Sequence, residues 1–583
     1  MSDPGPVRPA HHGVRPHELP DAAERELLTR VLDTLLREDA YRLRSTAHSH
    51  RRPDGDWLAL RAGGRTVCLP VAGDGVRREV RVRRPLLETG GAIVTRLAPA
   101  LAVLRAAAGP QERPGFDAFA AECADELAAL RLHERMRGDV AERLAAGHGS
   151  GAADWKGPRG ALAFDTLAAL RPHPVHPAGH ARSGLAPGEL LDHAPEFHPC
   201  YGLRWLVLPH AAVRGRPVAL PAWWPTPDRL GLPELSGTHT ALPVHPRTAG
   251  EPLARALRTL GLEDAAQLAV KPWPDVFPTL STRTVALADD PATHLKLPLA
   301  DGRALVPSVL GDGAVAQGLL EEILAREPRL ARSVLLADER THLDAGHGLL
   351  AALVRRLPDG LAEAHVVPLA ALPARTPDGV RVADALADRY YGGSHHAFLD
   401  AYFTLLLDWH TTLFSYGVAL ESHQQNVSVV LDAPGGRTRL RLLYKDHGGP
   451  RVNAVRLAAR LGGQAADLLG FADRRVLAGH DGPVADLFAA VTLHQCAGVL
   501  ADGPDGGARL RLLRDRLAGA VDRLPPGPAA VLRTRVLEAG LLPVQAMVTA
   551  GTLLKGRRPG VPDIAKHYVN GPNYLNCLSG AAG

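Results

Sequence analysis

The sequence predicts an α+β protein in which antiparallel sheets are followed by a helix-rich C-terminal part. Apolar residues recur at helical spacing in several stretches between residues 21 and 146. Between about 203 and 320, short apolar runs alternate with proline-rich turns, as is typical of antiparallel sheet. Helical patterns dominate 452–555. At 583 residues, the chain implies three or four domain-sized units.

The N-terminal region begins with residues 1–20, whose proline, histidine and glycine content predicts disorder. From Asp21 to about Leu43, leucines and valines recur at helical spacing and predict a helix. The further expected elements are short strands of a hairpin or meander at 56–83, helices at 92–108 and 115–146, and a loop centred on 147–200.

The C-terminal half combines helices with one predicted hairpin. Residues 314–325 predict a helix, and an apolar stripe predicts another over 398–416. Strands are expected at 426–431 and 438–444, because a Pro-Gly-Gly sequence between them suits a turn.

Composition argues against several classes of protein. The net charge of +5 is spread along the chain without a basic tail, which argues against nucleic acid as a partner. The five cysteines are far apart and form no CxxC, so neither a disulfide framework nor a zinc site is expected. No signal peptide and no apolar run of about 20 residues is visible. These features predict a cytoplasmic protein that does not enter the membrane.

Lysine is rare in this sequence. The chain has 67 basic residues, and only six of them are lysines. A lysine retained against such an arginine bias more often serves a purpose that needs a compact ammonium. Lys296 and Lys445 are two of the six, and both accompany polar motifs. Chance retention on a solvated surface is the alternative.

The first polar motif is Thr279-Leu-Ser-Thr-Arg-Thr284, with Lys296 downstream. Hydroxyls, a guanidinium and an ammonium are groups that bind polyphosphate. The alternation places Ser281 and Arg283 on one side of a strand end or tight turn. We expect Lys296 to face them across a hairpin; a chance trio of polar residues is the alternative.

The second motif is Glu421-Ser-His423-Gln-Gln-Asn426, and Asp446 follows on the next strand. A carboxylate, an imidazole and an amide at a helix-to-strand junction suit a site for Mg²⁺ and a nucleotide. The two motifs together predict an ATP site without a Walker loop. A capped junction with solvated side chains is the alternative.

A third segment places His173, His176, His180 and Arg182 within ten residues, where prolines and glycines oppose helix. Three interpretations remain open. The imidazoles bind a metal, or the loop binds an anionic substrate with Arg182 as carboxylate clamp, or the loop is merely solvated. The segment Glu196–His198 is a candidate for the same pocket wall.

In this order, the motifs resemble those of the IucA/IucC (aerobactin synthetase-like) family of NRPS-independent siderophore (NIS) synthetases, over about residues 170–450. Two family patterns are matched in full: Pro-Thr-x-Ser-x-Arg-Thr by 278–284, and Glu-x-His-x-Gln-Asn by 421–426. Three are matched in part: His-Pro-x-His-Pro-x-x-Lys-x-Arg-x-Gly by 173–184, Pro-Glu-Phe by 195–197, and Leu-Pro-x-His-Pro-Trp-Gln from 242 onward.

The resemblance implies a cupped-hand fold of three subdomains (thumb, fingers and palm) and a homodimer. On this basis we expect a thumb-like α+β region at 21–150 and a mostly β, fingers-like region at 151–375. The palm-like region, with the ATP site and a helical C-terminus, is expected at 376–583.

The resemblance also implies an ATP- and Mg²⁺-dependent ligase of siderophore biosynthesis and iron acquisition. Such an enzyme adenylates a carboxylic acid with release of pyrophosphate, and an amine or hydroxylamine then displaces AMP to form an amide bond. The implied roles are catalysis by Lys296, Arg283 and His423; ATP binding by Ser281, Arg283, Thr284, Lys296, His423 and Asn426; Mg²⁺ binding by Glu421, Asn426 and Asp446; and acyl-substrate binding by His173, His176, Arg182 and Arg303.

The chain departs from the family patterns at four places, three of them on the carboxylate side. The departures are His180 for Lys, Arg247-Thr248 for Trp-Gln, Ser308 for a substrate-facing Arg, and Lys445 for Arg. They predict retained use of ATP with a divergent acyl pocket. Arg303 and Arg247 are the candidates to replace the missing guanidinium.

Two other functions are compatible with the same residues. The first is the same ligase chemistry in a natural-product pathway that makes no siderophore. The second is a catalytically weakened, nucleotide-binding partner protein. The motifs do not determine the acid, the nucleophile or the number of condensations.

Overall fold

The computed structural model describes residues 20–74, 79–180, 187–216, 220–300, 305–465, 467–501, 506–554 and 566–576. The chain divides into two compact units. The first unit comprises residues 1–131, 175–181 and 546–569, and the second comprises residues 132–174, 182–545 and 570–583. The division into thumb, fingers and palm ranges stays a prediction, and the disorder predicted for 1–20 concerns residues outside the described part, apart from Pro20.

The first unit combines helices with an antiparallel sheet of order β1-β2-β3-β5-β6, to which β4 adds on β3. Its elements are α1 (Ala22–Arg37), β1 (His48–Arg52), β2 (Gly55–Ala62), β3 (Arg65–Gly73), β4 (Val80–Val82), β5 (Leu87–Thr89), β6 (Ala92–Val94), α2 (Leu97–Leu104) and the first part of α3 (Arg113–His148). The Asp21 carboxylate accepts the Glu24 N–H at 2.8 Å and caps α1. The predicted apolar stripe of α1 is buried, and β2 and β3 form the predicted hairpin.

Residues 175–180 are held within this unit by a buried carboxylate. The Oε2 atom of Glu126, on α3, accepts the backbone N–H of His180 at 2.7 Å. The Oε1 atom of Glu126 lies 2.8 Å from the His180 Nδ1. Arg30 of α1 donates to Glu126 at 3.1 Å and also to the Pro177 carbonyl. Burial raises the pKa of Glu126, but His180 and Arg30 outweigh burial and lower this pKa to about 2.

We expect Glu126→Gln to lower the free energy of unfolding by about 3 kcal/mol at pH 7, because it leaves buried cationic partners without their carboxylate. A carboxyl whose pKa is depressed on folding stabilises above its unfolded pKa, near 4.5, and loses that effect as the pH falls toward 2. The difference in the free energy of unfolding between wild type and Glu126→Gln should therefore become smaller below about pH 4.5. Urea denaturation of both proteins at pH 7 and at pH 3.5 measures this difference. Asp125→Asn, on an exposed neighbour, is the control; an equal difference at both pH values would contradict the assignment.

The second unit is built from mostly antiparallel sheets and from many helices. Its strands are β7 (Tyr201–Gly202), β8 (Arg204–Pro209), β9 (Arg214–Arg216), β10 (His239–Val244), β11 (Gln267–Leu268), β12 (Asp275–Pro278), β13 (Thr284–Leu287), β14 (Thr293–Lys296), β15 (Val334–Leu336), β16 (Asp338–Asp344), β17 (Ala351–Arg356), β18 (His365–Pro368), β19 (Val418–Ala419), β20 (Val427–Asp432), β21 (Arg439–Tyr444), β22 (Arg451–Asn453), β23 (Leu477–Ala478) and β24 (Leu541–Gln545). The last strand of the chain is β25 (Tyr568–Pro572). The pairs β15–β21 and β22–β23 are parallel.

Helices follow the sheets and dominate the C-terminal part, as predicted. They are α4 (Gly157–Ala169), α5 (Pro187–His193), α6 (Glu251–Leu260), α7 (Asp312–Arg326), α8 (Pro328–Ala331), α9 (Val382–Tyr391), α10 (His395–Ser415), α11 (Ala454–Leu461), α12 (Gly482–Leu487), α13 (Val499–Ala501), α14 (Gly506–Asp522) and α15 (Pro526–Leu532), with π-helical turns at Phe488–Gly498 and Arg533–Leu537. The helices expected at 314–325 and 398–416 are confirmed by α7 and α10.

The largest sheet places the first polar motif. Its seven strands are antiparallel in the order β7-β12-β13-β14-β17-β16-β9. Val285 and Leu295 pair across β13 and β14 and belong to the buried core. Because side chains alternate along a strand, Thr284 and Lys296 lie on the opposite face. A second sheet, of order β15-β21-β20-β18, contains the predicted hairpin β20–β21, which ends next to Asp446.

The loop predicted at 147–200 is wrong, because α4 and α5 lie within it. Every residue from Leu162 to Ala169 is buried. A helix that is buried on nearly all sides has no apolar stripe to reveal it, and Gly157-Pro158 and Gly160 suggested a loop instead. Helix α6 was likewise not expected within the mostly β region.

One described helix, Gly482–Ala501, is long and apolar enough to cross a membrane by length and composition. It is 83% buried inside the protein, as the core helix of a globular unit is. This helix is therefore weak evidence for a membrane span.

Candidate active site

The turn between β12 and β13 presents the first polar motif. The Thr279 N–H donates to the Thr284 carbonyl at 2.8 Å, and Thr282 adopts a left-handed φ of 63°. The Ser281 hydroxyl donates to the Thr284 hydroxyl at 2.7 Å and accepts the Thr284 N–H at 3.1 Å. The expected tight turn is confirmed, and its two hydroxyls lie together. Strained backbone of this kind is common at ligand sites.

Lys296 lies directly opposite Thr284, since the two residues are partners in the β13–β14 register. Its side chain is buried, with 8% of the residue exposed. The Nζ atom donates to both oxygens of Asp446, at 2.8 and 2.7 Å. The hairpin prediction for Lys296 is confirmed, and the lysine joins the two motifs through Asp446.

This ion pair lies in a strongly cationic environment. Burial lowers the pKa of Lys296, Asp446 raises it, and Arg283 and Arg355 lower it further. Burial raises the pKa of Asp446, but Lys296 and Arg355 outweigh burial and hold this pKa well below its usual range. Asp446 is therefore ionised at neutral pH, and the surrounding cations favour an anionic ligand.

Two residues that the sequence did not reveal hold Asp446 in place. Asp446 has a φ of 62°, and its N–H donates to Glu339 Oε1 at 2.6 Å. The next N–H, from His447, donates to Glu339 Oε2 at 3.2 Å. Arg355 donates to Glu339, and its guanidinium lies 3.9 Å from Asp446. Glu339 and Arg355 are only 2% and 3% exposed, so this support is rigid and buried.

No sequence signal distinguished these two residues. Glu339 lies in a polar stretch of β16 that resembles a solvated strand face. Arg355 is one of 61 arginines. The pairing of β16 with β17 brings Glu339 and Arg355 together, and the bonds from the Asp446 and His447 N–H groups place Glu339 beside the end of β21.

The second motif forms a compact turn before β20. The Asn426 Nδ2 donates to the Glu421 carbonyl at 3.2 Å and lies 3.4 Å from the His423 Nε2. The Lys445 N–H donates to the Asn426 carbonyl at 3.0 Å, which fixes the motif beside Asp446. Burial lowers the pKa of His423 to about 4, although Asp446 raises it. His423 is therefore a neutral imidazole at pH 7.

The donor set at Asp446 fits a magnesium ion that is shared with a nucleotide. Mg²⁺ is usually bound by one or two carboxylates together with phosphate oxygens and water. Asp446 supplies a carboxylate, and the amide oxygen of Asn426 is left for a ligand because Nδ2 is already engaged. Among the described residues, no group of three or more His, Cys, Asp or Glu is arranged to hold a metal by itself. The phosphates would therefore supply the remaining ligands.

The residues expected to bind the acyl substrate are only partly described. Arg182 and Arg303 lie outside the described residues. His173 is exposed and belongs to the second unit, whereas His176 belongs to the first. The His176 Nδ1 accepts the Ala178 N–H at 3.2 Å, and burial lowers its pKa to about 4. The four substrate roles stay predictions, and the described residues give the metal interpretation of this loop no support.

Two family models match parts of the chain. Residues 161–374 match the model of the IucA / IucC family, and residues 396–554 match a model described as ferric iron reductase FhuF-like transporter. A comparison with curated proteins finds no significant sequence match.

Several solved structures have a similar fold. ATP-bound aerobactin synthetase IucA from a hypervirulent pathotype of Klebsiella pneumoniae is 17% identical, with a TM-score of 0.67, over 94% of this chain and 99% of that chain. Aerobactin synthetase IucC from the same source is 18% identical, with a TM-score of 0.68, over 96% and 98%. Petrobactin biosynthesis protein AsbB from Bacillus anthracis str. Sterne is 16% identical, with a TM-score of 0.70, over 96% of each chain.

The architecture is thus that of the siderophore synthetases, and the α+β prediction is confirmed. The IucA / IucC family model matches residues 161–374 of this chain, and the likeness in fold to the solved synthetases extends over nearly the whole chain.

Proposed function

We propose that the protein is an ATP-dependent ligase of siderophore biosynthesis that adenylates a carboxylic acid and transfers the acyl group to an amine or hydroxylamine. The observation that carries this proposal is the bidentate pair between Lys296 and Asp446. It unites, in one cluster, two polar motifs that lie about 140 residues apart in the sequence. The ATP in the similar IucA structure supports ATP as the nucleotide.

In the first step, a carboxylate oxygen attacks the α-phosphorus of ATP. The new P–O bond forms as the bond to the pyrophosphate oxygen breaks, and pyrophosphate leaves with its electron pair. Negative charge grows on the leaving group, so cations aimed at it lower the barrier. Arg283 and the Lys296 ammonium are assigned this role, and the Ser281 and Thr284 hydroxyls bind phosphate oxygens.

Magnesium, when bound, offsets charge on the phosphates and fixes their geometry. Asp446 would hold it, with Asn426 and Glu421 as the further oxygen donors. Lys296 donates to both Asp446 oxygens. The lysine and the metal would therefore share one carboxylate.

In the second step, the nucleophile's nitrogen attacks the acyl carbon, and AMP leaves with the electrons of the acyl–oxygen bond. Orientation of the two reactants supplies much of the rate. A neutral His423 both donates and accepts hydrogen bonds, so it suits positioning of the nucleotide rather than charge compensation.

The proposal is tested by ATP-dependent pyrophosphate release with a panel of acids, using hydroxylamine to trap the activated acyl group. The panel contains citrate, succinate, 2-oxoglutarate and N-hydroxy-N-succinyl diamines. We expect release with at least one acid, together with AMP. ADP as the product would contradict adenylation. If the protein binds ATP but releases no pyrophosphate with any acid of the panel, the result would favour a catalytically weakened partner protein.

Two other functions can be distinguished from siderophore ligation. Ligation in a pathway that makes no siderophore would use the same site and differ only in the acid and amine accepted. A reductase function for 396–554 has little chemical support, because iron–sulfur clusters need several cysteine thiolates and this range contains only Cys496. Burial raises the pKa of Cys496, so this thiol is unreactive.

A further inference from the structure

Helix α10 carries a buried histidine, His410, which is not one of the residues assigned to ATP or Mg²⁺. His410 is 1% exposed, and burial lowers its pKa to about 3, so the imidazole is neutral at pH 7. Burying an imidazole is costly unless its ring nitrogens find hydrogen-bond partners. The partners of His410 therefore indicate its role.

Hydroxyl groups from two separate segments of the candidate active site meet at one nitrogen of this ring. The Tyr444 hydroxyl lies 3.0 Å from the His410 Nε2, and the Ser422 hydroxyl lies 3.4 Å from the same atom. Tyr444 is the last residue of β21, two residues before Asp446. Ser422 lies within the second motif, directly after Glu421. One imidazole thus contacts both segments that supply the assigned metal donors.

The other ring nitrogen is held by the π-helical turns at Phe488–Gly498. The Thr492 hydroxyl, which is fully buried, lies 3.1 Å from the His410 Nδ1. With the proton of the neutral ring on Nδ1, the Nε2 atom accepts from Tyr444 and Ser422, and Nδ1–H donates to Thr492. In this tautomer each of the three hydroxyl groups has a partner on the ring.

The same π-helical turns also contact the second motif directly. The Cys496 thiol donates to the Ser422 carbonyl, and the Tyr402 hydroxyl of α10 donates to the Cys496 carbonyl at 3.2 Å. All three residues are buried. π-Helical turns are frequent at functional sites. The second motif is therefore supported from behind by buried, hydrogen-bonded residues and not by solvent.

Backbone bonds alone leave the metal donors incompletely fixed. Val427 pairs with Tyr444 in the β20–β21 register, and the Lys445 N–H donates to the Asn426 carbonyl. These bonds join the two strands at their ends, whereas Ser422 lies further back in the turn. Mg²⁺ requires nearly ideal octahedral geometry, with oxygen ligands at about 2.0–2.1 Å. A small shift of the turn relative to Asp446 would therefore weaken metal binding.

We propose that His410 is a positioning residue that holds the second motif in a fixed position relative to Asp446, so that oxygen donors of both segments bind one Mg²⁺ ion together with ATP. The inference rests on the proposed function. His410 acts through Tyr444 and Ser422 and not by contact with the metal. Residues that support metal ligands in this way commonly affect metal affinity nearly as strongly as the ligands do.

Calorimetric titration of ATP into the full-length protein, at a series of Mg²⁺ concentrations, tests the proposal. We expect His410→Leu to raise the Mg²⁺ concentration needed for half-maximal ATP binding by about tenfold. Tyr444→Phe removes only a hydroxyl group and should cause part of the same shift, even if His410→Leu does not fold. The double variant should be no worse than His410→Leu, because the two residues act through one contact. His396→Leu, on an exposed histidine of the same helix, should bind as wild type does.

Two conservative variants distinguish positioning from a purely structural role. Glutamine places an amide oxygen near the position of Nε2, so His410→Gln still accepts from Tyr444 and Ser422. Asparagine reaches only the position of Nδ1, so His410→Asn keeps only the Thr492 contact. We expect His410→Gln to recover most of the wild-type Mg²⁺ dependence and His410→Asn to recover none of it. Equal behaviour of these two variants, or a wild-type Mg²⁺ dependence in His410→Leu, would overturn the proposal.

The result can be distinguished from that of the ligase test. If the variants shift the Mg²⁺ dependence as expected but the wild type releases no pyrophosphate with any acid, the ligase proposal fails and the role of His410 stands. If the wild type releases pyrophosphate and His410→Leu keeps the wild-type Mg²⁺ dependence, the role of His410 fails alone. ATP binding by the wild type that does not depend on Mg²⁺ would overturn both the metal site and this role.

Discussion

Replacing Lys296 with methionine is expected to lower the rate of pyrophosphate release by about 10²- to 10³-fold. Methionine keeps the length of the side chain but removes the ammonium that faces Thr284 and engages both Asp446 oxygens. The departing pyrophosphate then loses a nearby cation, and Asp446 loses its partner. Single-turnover measurement of pyrophosphate under saturating ATP isolates this chemical step.

Lys271→Met is the matched control, because Lys271 is an exposed lysine of the second unit, in the segment between β11 and β12. It should release pyrophosphate at the wild-type rate. Circular dichroism confirms that each variant folds. A Lys296→Met protein that is folded and retains more than about a tenth of the rate would show that the ammonium does not stabilise the transition state.

Replacing Glu339 with glutamine is expected to raise the Mg²⁺ concentration needed for half-maximal ATP binding by about 10- to 100-fold. Both Glu339 oxygens accept backbone N–H groups, those of Asp446 and His447. Glutamine offers one carbonyl oxygen and one amide NH₂ group, so at one of the two positions an N–H donor would face another N–H donor. The left-handed backbone at Asp446 then loses its support, and the carboxylate leaves its position.

Calorimetric titration of ATP at a series of Mg²⁺ concentrations measures this effect without relying on turnover. Asp338→Asn, on the exposed neighbour in the same strand, is the control and should keep the wild-type dependence. A loss of ATP affinity that is equal at all Mg²⁺ concentrations would instead indicate general disruption of the site.

The cluster around Lys296 and Asp446 was predictable because its residues lie in short, chemically distinctive motifs. The tight turn at Ser281 and the opposition of Lys296 were both predicted from the sequence. The hydrogen bond from the Thr279 N–H to the Thr284 carbonyl confirms the turn, and the register of β13 with β14 confirms the opposition. The rarity of lysine also helped to identify Lys296 as a candidate site residue, because only six of the 67 basic residues are lysines. The hairpin before Asp446 followed from its turn residues and its apolar strands.

The supporting residues and helix α4 were not predictable from the sequence, for physical reasons. Glu339 acts on Asp446 through contacts between residues about 100 positions apart, and its own segment looks like a solvated strand. Helix α4 is buried on nearly all sides and so shows no amphipathic period.

The fate of a carboxylate oxygen tests the central claim most directly. The protein is incubated with ATP, Mg²⁺, an amine and an acid that carries ¹⁸O in its carboxylate. The products are then separated, and their masses are determined by mass spectrometry. Adenylation at the Lys296–Asp446 site predicts one ¹⁸O atom in AMP and none in pyrophosphate. Label in inorganic phosphate, accompanied by ADP, would contradict the account, because it would show attack at the γ-phosphorus.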